Sequence, residues 1–529
     1  MLKDKKKPKS GFITEEKENE IMKKTPTVYI CILSVWAVCA GVLLFSCGQL
    51  IYGVLQGENV TGKAWLVAIL LALNAGMLAY MWLGSVKDFM FSLLFLITGK
   101  RLMKRYQPIL EQPLPEKHPK FLLLYCTCND FNAEALKECM AQDYDNFETV
   151  ILDDSTKEEY QTKIDKFAKK YGAKVVRRQD RKGFKAGNLN HYLQGKTDYD
   201  YFVVLDSDER IPADYIQETL RYFVYDENVG VVQAAHKATK GSNLFQGLMG
   251  LSVKSNGKIC QVMKNFYGSN ALIGHGMAIS RKCFEAVKGF PEVVAEDISF
   301  AVDVKNSGYR VLYAPNIVCR EEFPVNYLCL KKRQAKWVQG NVEFMKKYNR
   351  SITESKMTWY ERLDIRLSHY NLPIIPMLSF LLIINTIFMG FLGFDVGRYS
   401  LMLVGLMLLF LVSPLIPDFF VHGKEKNVFR LIGYAFLNFV VYASLVPMMI
   451  GTVLLALLGK KAKFIVTPKE ERRISVKEAF RGSVDSIVFA FIVGILTYGT
   501  YFSFAPSALI VLCCALTPMA ILVANVPAK

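Results

Sequence analysis

Long uncharged apolar runs, gathered toward both ends of the chain, constrain this sequence more than any other feature. A helix that crosses a bilayer needs about 20 apolar residues to span a hydrocarbon core about 30 Å thick. Residues 28–55, 63–83, 373–394, 399–420, 484–504 and 506–526 meet that requirement, which gives six expected spans. A soluble fold of this size could not bury all of them. The hydrophobic share, 52% of 529 residues, agrees with that reading. The first run is longer than a signal-peptide core and has no clear small-residue cleavage site, so it reads as a retained helix.

Two further apolar stretches are ambiguous. Residues 89–98 are too short to cross, and Lys100, Arg101, Lys104 and Arg105 follow them. An interfacial helix or the tail of the second span fits. Residues 428–458 are long enough for a seventh span. The tail with Lys3, Lys5, Lys6, Lys7 and Lys9 and the loop at 460–481 are both basic, which keeps both in the cytoplasm. Segment 428–458 must then cross an even number of times or none. An interfacial or re-entrant segment kinked near Pro447 is expected.

The net charge of +17 admits nucleic-acid binding or membrane topology. The basic clusters flank apolar spans, so topology is the reading and no nucleic-acid partner is expected. Some of this charge can also meet anionic lipid or a diphosphate. The 12 cysteines show no zinc-ligand spacing, and several lie within spans, so reduced thiols packed as small hydrophobes are expected.

The middle, about residues 108–349, alternates strand-like and helix-like segments. Strands are expected at 121–126, 149–152, 174–177 and 201–205, with helices at 133–142, 158–171 and from 186. This alternation predicts a parallel α/β sheet. Such sheets bind ligands beyond the carboxyl ends of their strands, and acidic clusters fall at those ends.

Asp206-Ser207-Asp208 follows the apolar strand Tyr201-Phe202-Val203-Val204-Leu205. Two carboxylates at this spacing can face one hard cation, Mg2+ or Mn2+, that also takes phosphate oxygens. A loop-capping aspartate pair is the ordinary alternative; the position at the strand end favours the metal. Asp153-Asp154-Ser155 is either a turn with Asx hydrogen bonding or a contact to a base and ribose. Lys185 either reaches a phosphate or sits on a surface helix. Glu296-Asp297 opens a helix, where acids suit the macrodipole, or supplies a general base. Arg333-Gln334-Ala335-Lys336-Trp337 is a membrane-surface helix with a Trp anchor, or a platform on which Trp337 stacks against a sugar ring.

In order, these motifs, with Gly274-His275-Gly276 and Phe464-Ile465-Val466-Thr467-Pro468-Lys469, resemble the processive family 2 glycosyltransferases of the cellulose synthase-like group. The resemblance runs from about residue 28 and includes the membrane layout. It implies a GT-A type nucleotide-binding mixed sheet inserted between transmembrane regions. Asp153 and Asp154 would contact the nucleotide, with Lys185, Asp206 and Lys336 on the nucleotide-sugar. Asp206 and Asp208 would hold the metal. Asp297 would be the catalytic base. Glu296, Gln334, Trp337 and His275 would face the acceptor. Phe464, Val466, Thr467 and Lys469 would close over the bound nucleotide as a gating loop.

The sequence departs from the group in four places. Arg333 stands for its first Gln, Lys336 for its Arg, Ala295 for its Thr, and His275 for a small or hydroxyl residue of its G-x-G turn. Lys lacks the bidentate fork of Arg, which bears on acceptor geometry and linkage.

The expected division is a tail at 1–27, a transmembrane pair with an interfacial helix at 28–107, and a cytoplasmic transferase domain at 108–350. Interfacial helices with two spans follow at 351–458, then a gating loop at 459–482 and a final pair at 483–529. The expected function is polymerisation of a UDP-sugar, UDP-glucose first, into a β-linked polysaccharide passed through the protein's own channel in the plasma membrane. Alternatives are single transfer to a lipid, an N-acetylglucosamine or mannose polymer, or a transporter or scaffold. Expected partners are the UDP-sugar, the growing polysaccharide, membrane lipid, and an export or accessory subunit.

Overall fold

The computed structural model describes residues 24–56, 61–395, 397, 400–460 and 472–528. Its central element is a seven-stranded sheet built from β1 (Phe121–Thr127), β2 (Phe147–Asp153), β3 (Lys174–Val176), β4 (Tyr201–Leu205), β5 (Val229–Ala238), β6 (Met277–Ser280) and β7 (Arg310–Glu321). The spatial order is β3-β2-β1-β4-β6-β5-β7. Alternation along the strands sends side chains to two cores. Leu122, Leu124, Val150, Leu152, Phe202 and Val204 pack on one face. Leu123, Tyr125, Ile151, Val203 and Leu205 pack on the other. Each such buried side chain contributes about 1.5–3 kcal/mol by leaving water.

The four strands expected from the sequence are present, and β4 has the bounds read from it. The sheet is mixed rather than wholly parallel. β6 runs antiparallel to both β4 and β5. A turn with positive φ at Gly274 (92°) and Gly276 (57°) precedes β6, the backbone region glycine enters without a Cβ clash. Four residues are too few to show a period, so β6 was not legible from its pattern.

Among the described residues, seven helical segments are long and apolar enough to cross a membrane. Their outward residues, among them Val38, Phe45, Leu401, Phe429 and Phe491, are exposed, as a lipid-facing surface requires. Helix α1 (Thr27–Leu55) pairs with α2 (Gly62–Lys104). Helix α2 runs unbroken through residues 89–98, so that stretch is the continuation of the second helix and not a separate interfacial one. The seventh candidate is 428–457, set aside above as interfacial; length and apolarity alone qualify it. It is broken between Ser444 and Val446, next to Pro447, where proline removes an amide donor.

Candidate active site

Strand ends deliver the first acidic group. Asp206, Ser207 and Asp208 follow β4, and β1 fixes their loop. Ser207 Oγ donates to Asp130 Oδ2 at 2.5 Å, and Tyr125 Oη donates to the Ser207 carbonyl at 2.9 Å. Asp130 Oδ1 accepts from Thr127 Oγ1 (2.9 Å) and the Cys128 amide (2.8 Å). Asp208 Oδ2 accepts from the Glu322 amide at 3.1 Å.

Helix α3 (Phe184–Leu193) starts from Gly183, whose φ is 71°, and brings Lys185 to this loop. Lys185 pairs with Asp206 and donates to the Gly274 carbonyl at 2.8 Å. Burial alone would lower its pKa; the charge and hydrogen bond of Asp206, together with Cys126 and Glu296, outweigh that and raise it. Gly274 in turn packs on Asp297: a Cβ there would lie 3.4 Å from Asp297 Oδ2.

Glu296 and Asp297 open α4 (Glu296–Asn306). Asp297 Oδ1 accepts from the Ile298 amide at 2.8 Å. Burial, and then repulsion from Asp297, pushes the Glu296 carboxyl up to about 7, against the pull of Lys185 and Lys336. Burial also raises Asp297, opposed by the Ile298 amide and the same two lysines. Burial lowers the Lys336 ammonium, with Glu296, Asp206 and Asp297 opposing. Two adjacent carboxyls with raised pKa values between two ammonium groups form a proton-accepting centre that titrates as a unit.

Helix α5 (Tyr327–Glu354) supplies the third wall. Arg333, Lys336, Trp337, Gly340 and Asn341 recur at helical spacing and face one cavity of about 650 Å³. The Arg333 guanidinium lies 4.6 Å from the Trp337 ring centroid and 4.8 Å from that of Phe323. The same cavity is lined by Asp154, Lys185, Asp206, Asp208, His275, Glu296 and Asp297. Carboxylates from three separate stretches therefore converge on one space of nucleotide-sugar size.

Two expected site residues do not line it. Gln334 is buried on the stripe that carries Leu330 and Val338, about 100° around the helix from Arg333. It faces the protein core, not the acceptor space. Asp153 turns to Arg177 Nε (2.6 Å) and to the Ser155 amide (2.8 Å). Asp154 does line the cavity, but Arg178 holds it through two bonds, at 2.9 and 2.7 Å. The Arg177-Arg178 partners follow β3, 24 residues on, a separation at which no local pattern signals the pairing. Phe464, Val466, Thr467 and Lys469 lie outside the described residues.

His275 sits between two carboxylates. Its Nδ1 meets Glu209, and its Nε2 lies 3.2 Å from Glu321 Oε2. Glu209 also meets His236 Nε2, at 3.1 Å. Sequence reasoning missed Glu209 and His236, which have no motif of their own. A second cavity of about 790 Å³ adjoins the first. Asn256, Lys264 and Ser368 line both, and Trp82, Met407 and Phe410 lead from them among the apolar helices.

Residues 201–414 match the family described as Glycosyl transferase family group 2. A probable glucomannan 4-beta-mannosyltransferase 6 of Oryza sativa subsp. japonica is 24% identical over 230 residues, which are 40% of this chain and 39% of that protein. The chain thus spans about two fifths of the length of that curated relative. A mannosyltransferase from Pyrobaculum calidifontis, solved with GDP-Man and Mn2+, is 20% identical with a TM-score of 0.45, over 70% of this chain and 98% of that one. S. aureus TarS 1-349 with UDP is 14% identical with a TM-score of 0.34, over 58% and 93%.

Proposed function

We propose, from the match of residues 201–414 to the family described as Glycosyl transferase family group 2, a membrane enzyme that extends a β-linked polysaccharide from a nucleotide-sugar donor. The observation that carries this is the shared cavity of Asp206, Asp208, Asp297, Lys336 and Trp337, set against membrane-length helices.

Asp297 takes the proton of the acceptor hydroxyl. The freed oxygen attacks the anomeric carbon from the side opposite the nucleotide, and configuration inverts. A raised pKa makes Asp297 a better base than an ordinary aspartate. Lys185 and Lys336 take up charge on the departing diphosphate. Trp337 offers a ring face for the acceptor sugar, and Asp154 lies on the nucleotide side.

Asp206 and Asp208 would hold Mg2+ or Mn2+. Two hard carboxylates at a strand end suit that ion, and Asp206 already takes a cation in the form of the Lys185 ammonium. When bound, the ion would neutralise the leaving diphosphate. The adjoining cavity supports onward passage of a chain. The catalytic side would face the cytoplasm at the plasma membrane.

UDP-glucose is the first donor to test, because the motif series resembles cellulose synthases. A mannosyl donor is second, since the rice relative bears a mannosyltransferase name. Purified protein is screened against both, with linkage and length analysis of the product. Polymer from one donor is expected; a single-sugar glycolipid would move the reading to lipid transfer. No nucleotide release with either metal would overturn it.

A further inference from the structure

Beside the proposed donor site lies a second ligand set that the reaction does not use. Glu209 follows Asp208, His236 lies on β5, and His275 is the centre of the turn before β6. Their donor atoms all lie within 4.8 Å of one another, and among the described residues this is the one such group of three. The Asp206 and Asp208 oxygens are not part of it.

We infer that Glu209, His236 and His275 bind a divalent transition ion of the zinc class, separate from the donor-site cation. Four observations carry this. The donor set is two imidazoles and one carboxylate, the composition of three-ligand zinc sites. The 3.1 Å between His236 Nε2 and Glu209 Oε1 is close to the edge of about 3.3 Å expected between neighbouring ligands in a tetrahedral zinc site.

Second, the outer contact is in place. His275 turns its second nitrogen, Nε2, to Glu321 at 3.2 Å. A carboxylate behind the metal-bound imidazole fixes the ring and its tautomer.

Third, the space between the donors is kept open by Gly276. A Cβ there would fall 2.6 Å from His236 Nε2 and 2.8 Å from Glu209 Oε1. Fourth, Glu209 is fully buried and the Glu321 side chain is 16% exposed. Two carboxylates in such a setting need a cation beside them; a proton on His275 supplies one charge, and a divalent ion in its place supplies two. The ion would tie the ends of β4 and β5 to the turn before β6, and so hold the Asp206–Asp208 loop.

The test measures metal binding by the full chain in detergent with no nucleotide-sugar present, so it stands or falls apart from the proposed reaction. Protein stripped with chelator is titrated with Co2+ as a visible probe, then with Zn2+. About one equivalent per chain is expected, with ligand-field absorption that Zn2+ abolishes. His236→Gln and His275→Gln lose it, while Asp206→Asn and Asp208→Asn keep it. X-ray absorption of the zinc-loaded wild type needs no variant and should count two imidazoles. Absence of saturable Co2+ binding, fewer than two imidazoles, or binding lost in Asp208→Asn but kept in the His variants would each overturn the site.

Discussion

The Lys185 ammonium pairs with the Asp206 carboxylate and with the Gly274 carbonyl, joining the start of α3 to the end of β4 and to the glycine that backs Asp297. Three stretches distant in sequence are held in register by this one cation. Its replacement by Met removes the charge without shortening the side chain much. We expect kcat/KM for the donor to fall roughly 30-fold, about 2 kcal/mol, the scale of a lost charge-assisted bond. Thermal stability should change little, because the Asp206 side chain is 39% exposed. Steady-state kinetics and a melting curve on Lys185→Met check both.

The Glu296–Asp297 pair sets an acid limb on the rate. With Glu296 at about 7, turnover should fall as pH drops through that value and the pair takes up a proton. Glu296→Gln removes the neighbouring charge and should move the limb to lower pH; Asp297→Asn should abolish turnover. For stability the sign is the reverse of an ordinary ion pair. The folded pKa lies above the ordinary glutamate value of 4.5, so Glu296 costs stability as pH rises from about 4.5 through about 7. Above that range Glu296→Gln should melt higher than wild type. An unmoved limb in Glu296→Gln would remove the pair from the chemistry.

Arg178→Ala leaves Asp154 buried without its two-point partner. Breaking a buried pair on one side costs about 3–5 kcal/mol. A melting temperature lower by several degrees is expected, with Arg178→Lys recovering only part because the fork is lost. Equal loss in donor KM with no loss of stability would make Asp154 a nucleotide contact first and an anchor second.

Trp337→Ala removes the exposed ring face while leaving the carboxylates in place. Donor hydrolysis should persist, and product length should fall; chromatography of labelled product separates the two. Full-length product from the Ala variant would deny the ring its acceptor role.

The sequence disclosed features that have local causes. The run Tyr201–Leu205 is a strand because β-branched and aromatic residues fill a two-sided core, and Asp206 then lies at its carboxyl end without further information. The helical spacing of Arg333, Lys336 and Trp337 likewise puts them on one face. Gln334 failed because motif membership does not say which side of a helix a residue takes. Residue-level pattern was equally blind to Asp153–Arg177 and to His236–Glu209, separated by 24 and 27 positions, since only tertiary folding creates those neighbours. The antiparallel place of β6 was hidden too, because four residues carry no period and its pairing with β4 and β5 arises only on folding.

Helix α2 has no joint. Its 43 residues extend about 65 Å, from Gly62 past Lys87 and Asp88 to Lys104. On the way it touches the helical turn Asn256–Gln261, whose ends line the candidate-site cavity. A thicker or thinner bilayer that re-tilts this rod is expected to move the residues that line that cavity, so the proposed activity should vary with lipid chain length.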